Sequence, residues 1–151
     1  MAGLPSGTYS FLDCSASIVG PGGAFPLGQD SGVAEEGITI ERTGDKDTLT
    51  VGADGTPMHS LHADKSGRVT VRVLKTSPTN SLLQAMYDVQ SLSSSVWGNN
   101  VIMISDTARG DATVARSCAF VKFPNVVYAK EGGINEWTFN AGYIDSVLGS
   151  L

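Results

Sequence analysis

The sequence predicts a mainly β protein that carries a single helix. Val69, Val71 and Val73 alternate with polar residues, which is the two-residue period of a strand with one buried face. Past Pro78 the apolar residues change to helical spacing, so that Asp64–Gln90 contains a strand that leads into a helix. Only 17% of the residues are charged, against about 25% in typical soluble domains. That low charge, together with 18 glycines, favours a β-rich subunit whose surface is partly covered by partners.

The helix is predicted over residues 78–90. Ser77 or Thr79 can cap it, and Pro78 is tolerated in the first turn because no partner is needed there for its missing N–H. We expect the helix to bury Leu82, Leu83 and Met86 against the sheet.

The other strands follow from shorter alternating patterns bounded by glycine and proline turns. They are predicted at Thr8–Val19, Gly37–Thr43, Asp47–Val51, Val101–Thr107, Asp111–Phe123 and Ile134–Tyr143. One face of the fifth of these is expected to carry Ala112, Val114, Cys118 and Phe120. One face of the last strand should carry Trp137, Phe139, Ala141 and Tyr143. Ile144–Leu151 is then a short tail, and the 151 residues are expected to form one domain.

Gly44–Ala63 is predicted to be an extended arm. Its second part, Gly52–Ala63, consists of turn-forming residues with apolar Met58 and Leu61 among them, and we expect a loop there. Structureless segments of about 12 residues or more are uncommon in compact domains and tend to be functional. We therefore expect the arm to pack on another molecule, most simply a second copy of the chain.

Composition excludes several classes of partner. The net charge of −5 leaves no basic excess for neutralising phosphates, so specific binding of nucleic acid is not expected. No apolar run approaches the ~20 residues of a membrane span, and the first ten residues lack the pattern of a signal peptide. Synthesis in the cytoplasm is expected. Cys14 and Cys118 are expected to be buried free thiols, because a disulfide would need suitable geometry and an oxidising compartment.

No pattern of residues predicts catalysis, a metal or a cofactor. His59 and His62 are three residues apart, but no cysteine or carboxylate completes the three or four ligands of a zinc site. No serine lies in a G-x-S-x-G elbow. The triplet Arg109-Gly110-Asp111 resembles an integrin-binding tripeptide, although turn propensity alone explains it.

Four segments together resemble a known family: Ser10–Phe25, Gly32–Glu41, Gly52–Asp88 and Tyr128–Asp145. The order and content of these segments are similar to the tail-tube protein of contractile-tailed bacteriophages, over nearly the whole chain. Most of the resemblance lies in Gly67–Tyr87 and in Tyr128–Asp145 with its Lys-Glu-Gly-Gly turn.

The resemblance implies a self-assembling structural protein of the virion. The fold would be a β-sandwich or barrel with one flanking α-helix and a long hairpin arm. Hexameric rings would stack into a tube inside the tail sheath, with baseplate and tail-terminator proteins at the ends. Double-stranded DNA would pass through the tube without specific binding. In such a tube we expect the arm to make the inter-ring contacts and the polar faces of three strands to include lumen-lining positions. The candidate inter-ring residues are Asp54, Met58, His59, Leu61 and His62, and the candidate lumen-lining residues are Thr39, Glu41, Thr70, Arg72, Glu136 and Thr138.

Other functions remain open at this stage. The chain could be a binding, adhesion or baseplate module of a virion, or a subunit of a related secretion-needle tube. A small hydrolase with a site assembled from distant residues is a further alternative. Arg72 is also expected to pair with Glu41 or Glu136 across strands.

Overall fold

The computed structural model describes residues 9–10, 13–27 and 33–149, with the backbone alone for residues 33–36. Nine strands and one helix follow one another in the described ranges. They are β1 (Cys14–Gly20), β2 (Gly23–Pro26), β3 (Val33–Arg42), β4 (Asp47–Val51), β5 (Pro57–Leu61), β6 (Gly67–Leu74), α1 (Thr79–Gln90), β7 (Asn100–Asp106), β8 (Asp111–Phe120) and β9 (Ile134–Val147). The mainly β fold with a flanking helix and a hairpin arm is therefore confirmed.

Seven strands form one antiparallel sheet, in the order β2-β1-β7-β8-β9-β6-β3. The 14-residue strand β9 lies between β8 and β6 and pairs with both. Its first part, from Ile134 to Ala141, pairs with β6, whereas its second part, from Phe139 to Val147, pairs with β8. The sheet is consequently staggered, and β3 and β6 are displaced along β9 relative to β8, β7 and β1.

Strand boundaries differ from the predicted ones at several places. No strand was predicted within Ala24–Ala34, but this segment contributes to β2 and β3, and β8 ends at Phe120 instead of Phe123. The predicted first strand, Thr8–Val19, begins at Cys14 within the described part, and residues 8, 11 and 12 lie outside the described residues. Residues 150 and 151 of the predicted tail also lie outside them.

The core lies between one face of the sheet and the helix. Val69, Val71 and Val73 of β6 are fully buried, as their alternation predicts. Leu83 and Met86 of the helix belong to the same buried cluster, but Leu82 is 47% exposed, so its predicted burial is wrong. Residues 82 and 83 are neighbours on the helix about 100° apart, and only one of the two can face the sheet squarely.

A backbone irregularity changes which residues of β8 and β9 face the core. Ser117 has a φ of 53°, and the pairing of β8 with β7 shifts register beside it. Beyond this point Ala115 is buried in place of Val114, and Ile144 is buried in place of Tyr143, which is 53% exposed. Ala112 and Val114 therefore do not share a face with Cys118 and Phe120, and Tyr143 does not share one with Ala141, so both predicted sets are wrong. A bulge inserts one residue into a two-residue period, and everything on its far side changes face.

The glycine that permits this irregularity is Gly142. A Cβ there would lie 3.0 Å from the Cβ of Ser117 on the adjacent strand. With no side chain at Gly142 to crowd Ser117, β9 stays paired with β8 on both sides of this position, through Val147. The predicted tail therefore begins after Val147 and not at Ile144.

Two groups of amides attach the helix to the sheet. At its C-terminal end, Gln90 and Asn100 are fully buried and exchange two hydrogen bonds of 2.8 Å. At its N-terminal end, the Asn80 Oδ1 atom accepts hydrogen bonds from Trp137 Nε1 at 3.0 Å and from Asn135 Nδ2 at 3.1 Å. All buried side-chain N and O atoms of the described residues have a hydrogen-bond partner.

The arm is a β-hairpin and not partly a loop. Strand β5 pairs with β4 from Val51↔Pro57 to Asp47↔Leu61, so the loop predicted over Gly52–Ala63 is wrong. Pro57 begins the strand, a position that does not require an N–H donor. The turn between the strands is short, because Gly55, with a φ of 86°, adopts a backbone conformation that other residues rarely adopt.

Candidate assembly surfaces

The arm projects from the fold with almost no contact to it. Nine of the ten residues of β4 and β5 are exposed, and only Ser60 is half-buried. Leu49, Val51 and Leu61 lie on one face of the hairpin and are 54%, 57% and 82% exposed, while Met58 lies on the other face and is 58% exposed. Isolated two-stranded hairpins are marginally stable in water. Exposed apolar side chains on such an element point to a partner that covers them.

The polar residues predicted in the arm stabilise its own conformation. His59 Nδ1 lies 2.9 Å from Asp47 Oδ2, and His62 Nε2 lies 2.6 Å from Thr48 Oγ1. Asp54 accepts a hydrogen bond of 3.0 Å from the backbone N–H of Thr56, and that bond lowers the pKa of its carboxyl group. The histidines therefore contact the neighbouring strand rather than each other.

A group of charged residues holds the base of the arm to β9. Arg42, the last residue of β3, donates to the carbonyl of Ile144 and to Ser146 Oγ at 3.0 Å. Asp145 pairs with Lys65 at 3.3 Å and with Arg116 at 2.9 Å. The hydrogen bond from Lys65 is the larger cause that lowers the pKa of Asp145, and the charge of Arg116 adds to it. No local pattern in the sequence reveals this group, because its members are up to 104 residues apart.

The six predicted lumen-lining residues do come together on one face of the sheet. They belong to the adjacent strands β3, β6 and β9, and Thr39, Thr70 and Thr138 form a row across all three. Arg72 donates to Thr39 Oγ1 at 2.7 Å, and its Nε lies 3.4 Å from Glu136 Oε2. The predicted cross-strand pair of Arg72 is thus with Glu136. We name this face, opposite to the core, the polar face.

The charges of the polar face balance one another. Arg68 and Arg72 face Glu41 and Glu136 across the strand pairs, so two cations accompany two anions. The acidic excess of the chain lies elsewhere, for example in the arm, whose residues 45–64 contain four aspartates and one lysine.

A second apolar surface lies at the end of the sheet opposite to the arm. Leu74 and Ile134 form the last pair of β6 and β9 and are 44% and 42% exposed. Beside them Val127 and Tyr128 are 66% and 87% exposed, and Lys75 Nζ lies 3.7 Å from the centre of the Tyr128 ring. We name these five residues the end surface. The sequence gives no periodic signal for it, since Val127 and Tyr128 belong to a segment without regular structure.

The described residues contain no arrangement suited to catalysis by a metal. No three His, Cys, Asp or Glu side chains in the described ranges are placed to share an ion. Cys14 and Cys118 are both free; Cys118 is buried as predicted, whereas Cys14 is only half-buried. Burial raises the pKa of the Cys118 thiol to about 11. No helix among the described residues is long and apolar enough to cross a membrane.

Comparisons with solved structures identify the fold. The sheath-tube complex of an extracellular contractile injection system (PVC) contains a chain of 13% identity, with a TM-score of 0.59 over 95% of this chain and 93% of that one. The baseplate of the anti-feeding prophage contains a chain of 11% identity, with a TM-score of 0.61 over 98% and 100%. A sheath/tube terminator chain of the PVC system has 14% identity and a TM-score of 0.52 over 97% and 98%.

Comparisons of the sequence indicate the family. A search of curated proteins returned no match. The model of one family, described as the bacteriophage PhiTE tail tube protein, matches residues 6–149. Because this match spans almost the whole chain, the chain belongs to that family of phage tail tube proteins, which are structural components of the virion.

Proposed function

We propose that this chain forms hexameric rings that stack into the inner tube of a contractile tail, through which DNA passes into the host. One observation carries the proposal: the hairpin β4–β5 exposes large apolar side chains and has almost no contact with the rest of the described residues. Such a hairpin gains most of its stability when a neighbouring subunit covers it. We therefore assign the contact between rings to the arm, including Asp54, Met58, His59, Leu61 and His62.

Removing the arm tests this role directly. Thr43 N donates to Ser66 O at 3.2 Å, so Gly44 and Lys65 would be the next pair of β3 and β6. Replacing Asp45–Asp64 by Asn-Gly leaves a four-residue loop, Gly44-Asn-Gly-Lys65, between Thr43 and Ser66, which is a common length for a hairpin loop. By negative-stain electron microscopy, the wild type should form tubes and this variant single rings.

A matched control changes an exposed apolar residue away from the arm. Leu92 follows the helix and is 85% exposed. Leu92→Ser should leave tubes intact. Long tubes from the variant without the arm would show that stacking uses another surface, and a wild type that stays monomeric at high concentration would refute the tube itself.

We propose that the polar face lines the lumen. Arg72 is compensated by Glu136, and a surface whose cations are paired has little affinity for DNA phosphates. The net charge of −5 does not itself keep DNA off this face, since the acidic excess lies elsewhere on the chain. Glu41→Lys with Glu136→Lys would turn the lumen basic, and tubes of this variant should retain double-stranded DNA in co-sedimentation. Tubes carrying Asp88→Lys on the helix are the control, and equal retention by both would contradict the assignment.

In this proposal the protein has no catalytic activity and its partners are further copies, the sheath, and the baseplate and terminator proteins at the tube ends.

A second candidate, a baseplate ring, is favoured by the fold of the anti-feeding prophage baseplate chain, whose TM-score is as high as that of the sheath-tube chain. A baseplate protein would form rings that do not extend into tubes without a further protein. The same micrographs therefore distinguish the two.

A further inference from the structure

We propose that the end surface is the docking site for the arm of a second copy of this chain, in the adjacent ring. This inference rests on the proposed stacking and adds the receiving surface, which comprises Leu74, Lys75, Val127, Tyr128 and Ile134. A stack of identical rings that grows in one direction needs two different, complementary surfaces on each subunit. The arm supplies one of them.

The topology places the arm and the end surface at opposite ends of the subunit. The arm begins after Arg42 and returns at Gly67, which pairs with Ala141 of β9. The end surface lies at Leu74↔Ile134, seven residues further along β6. At about 3.4 Å per residue, the two sites are roughly 24 Å apart. The arm continues away from the end surface, so it reaches the end surface of another copy and not its own.

Both surfaces are apolar and uncovered. Leu49, Val51 and Leu61 are more than half exposed on one face of the arm, and Val127 and Tyr128 are more than half exposed on the end surface. Val127 and Ile134 also line one end of a groove of about 460 Å³, whose lining includes Lys122 and, from the polar face, Arg68, Glu136 and Thr138. Its volume lies within the range of about 300–1,000 Å³ that is typical of ligand pockets.

The charges of the two surfaces are complementary. Residues 45–64 carry four aspartates and one lysine, a net charge of −3 with neutral histidines. Around the end surface, Lys75, Lys122 and Lys130 accompany Glu131, a net charge of +2 in a chain whose total is −5. Opposite charge at the rims of two apolar surfaces favours their association and disfavours contact between two arms. A single hairpin contact is small, but several contacts act together in a ring.

Site-specific photo-crosslinking tests the docking site in assembled tubes. Benzoyl-phenylalanine at position 61 places the reactive group on the arm, where Leu61 is 82% exposed. Trypsin cleaves after Lys122 and Lys130 and releases Phe123–Lys130, which contains Val127 and Tyr128. Tubes made from isotopically heavy and light chains show whether a crosslink joins two copies. We expect mixed-isotope crosslinks from position 61 to Phe123–Lys130, and none to it from benzoyl-phenylalanine at position 92.

Charge reversal gives an independent measurement. Lys122→Glu with Lys130→Glu should raise the protein concentration needed for tube formation by about tenfold or more, because the acidic arm then meets an acidic surface. Asp45→Lys with Asp47→Lys in the same chain should restore the wild-type concentration.

The outcomes separate this inference from the tube itself. Tubes whose crosslinks from position 61 lie on the helix or on another arm, or whose charge reversal is not restored, overturn the docking site and leave the tube standing. Absence of rings and tubes from the wild type overturns both.

Discussion

Replacing Asn100 by alanine should be among the most destabilising substitutions of a polar residue in this protein. Asn100 is fully buried at the start of β7. Its Nδ2 donates to Gln90 Oε1 at 2.8 Å and to the carbonyl of Cys118 at 3.1 Å, and its Oδ1 accepts from Gln90 Nε2 at 2.8 Å. Gln90 Nε2 also donates to the carbonyl of Pro21 at 2.9 Å. These bonds connect the end of the helix to β7, β8 and the turn after β1.

The expected magnitude follows from the groups that alanine leaves without partners. Asn100→Ala deprives Gln90 Oε1 and the Cys118 carbonyl of this donor, and a buried group without a partner costs about 1–3 kcal/mol. We expect a total loss of roughly 2–4 kcal/mol in the free energy of unfolding, partly relieved by water entering the space. For a domain of this size, that loss lowers Tm by about 5–15 °C.

The assay is urea unfolding of the unassembled protein, followed by the fluorescence of Trp97 and Trp137. Asn99→Ala is the matched control, because Asn99 is exposed and makes one bond of 3.1 Å to Ser95 O. The control should change stability by no more than about 0.5 kcal/mol. A double-mutant cycle with Gln90→Ala should give a coupling energy of about 1 kcal/mol or more. Additive effects, or an Asn100→Ala loss no larger than that of the control, would refute the reasoning.

Three further predictions concern the thiols, the strand irregularity and the base of the arm. In thiol labelling of the native protein, Cys14 should react, whereas Cys118 should react only on unfolding, and rapid labelling of Cys118 would contradict its burial. Because the pKa of Cys118 is raised to about 11, the folded state should lose stability as the pH rises from about 9 to 11. Ser117→Gly should be neutral or stabilising, because residues other than glycine rarely adopt a φ of 53°. Gly142→Ala should lower the free energy of unfolding by about 1–3 kcal/mol, because its Cβ would crowd Ser117. Thermal unfolding of both variants measures the difference, and the reverse order of stability would contradict the bulge. Asp145 has a lowered pKa, so its contribution to the stability of the fold is present above about pH 4 and is lost as the pH falls through its folded-state pKa. Asp145→Asn should therefore be less stable than the wild type at pH 7 and should approach the stability of the wild type in acid. A difference in stability that stays constant across pH would exclude the ion pairs as the cause.

Local patterns in the sequence were sufficient for the elements that alternate or repeat regularly. The valines of β6 and the apolar residues of the helix identified both elements, because a single buried face imposes its period on neighbouring residues. The six polar residues of β3, β6 and β9 were also grouped correctly on one face. Polar residues that alternate with core residues must lie on the opposite face whenever the strands pair without irregularity.

Tertiary structure decided what depends on contacts between distant residues. The bulge at Ser117 moved Val114 and Tyr143 out of the core, and no feature of either strand alone reveals it, since the crowding arises only when Gly142 lies beside Ser117. The pairing of Pro57–Leu61 with β4 made the arm a hairpin, although the composition of that segment is typical of a turn. The sequence by itself therefore determined the class of fold, the strand–helix unit and the family. The register between strands, the amides that hold the helix and the position of the end surface opposite the arm depend on residues brought together only by folding.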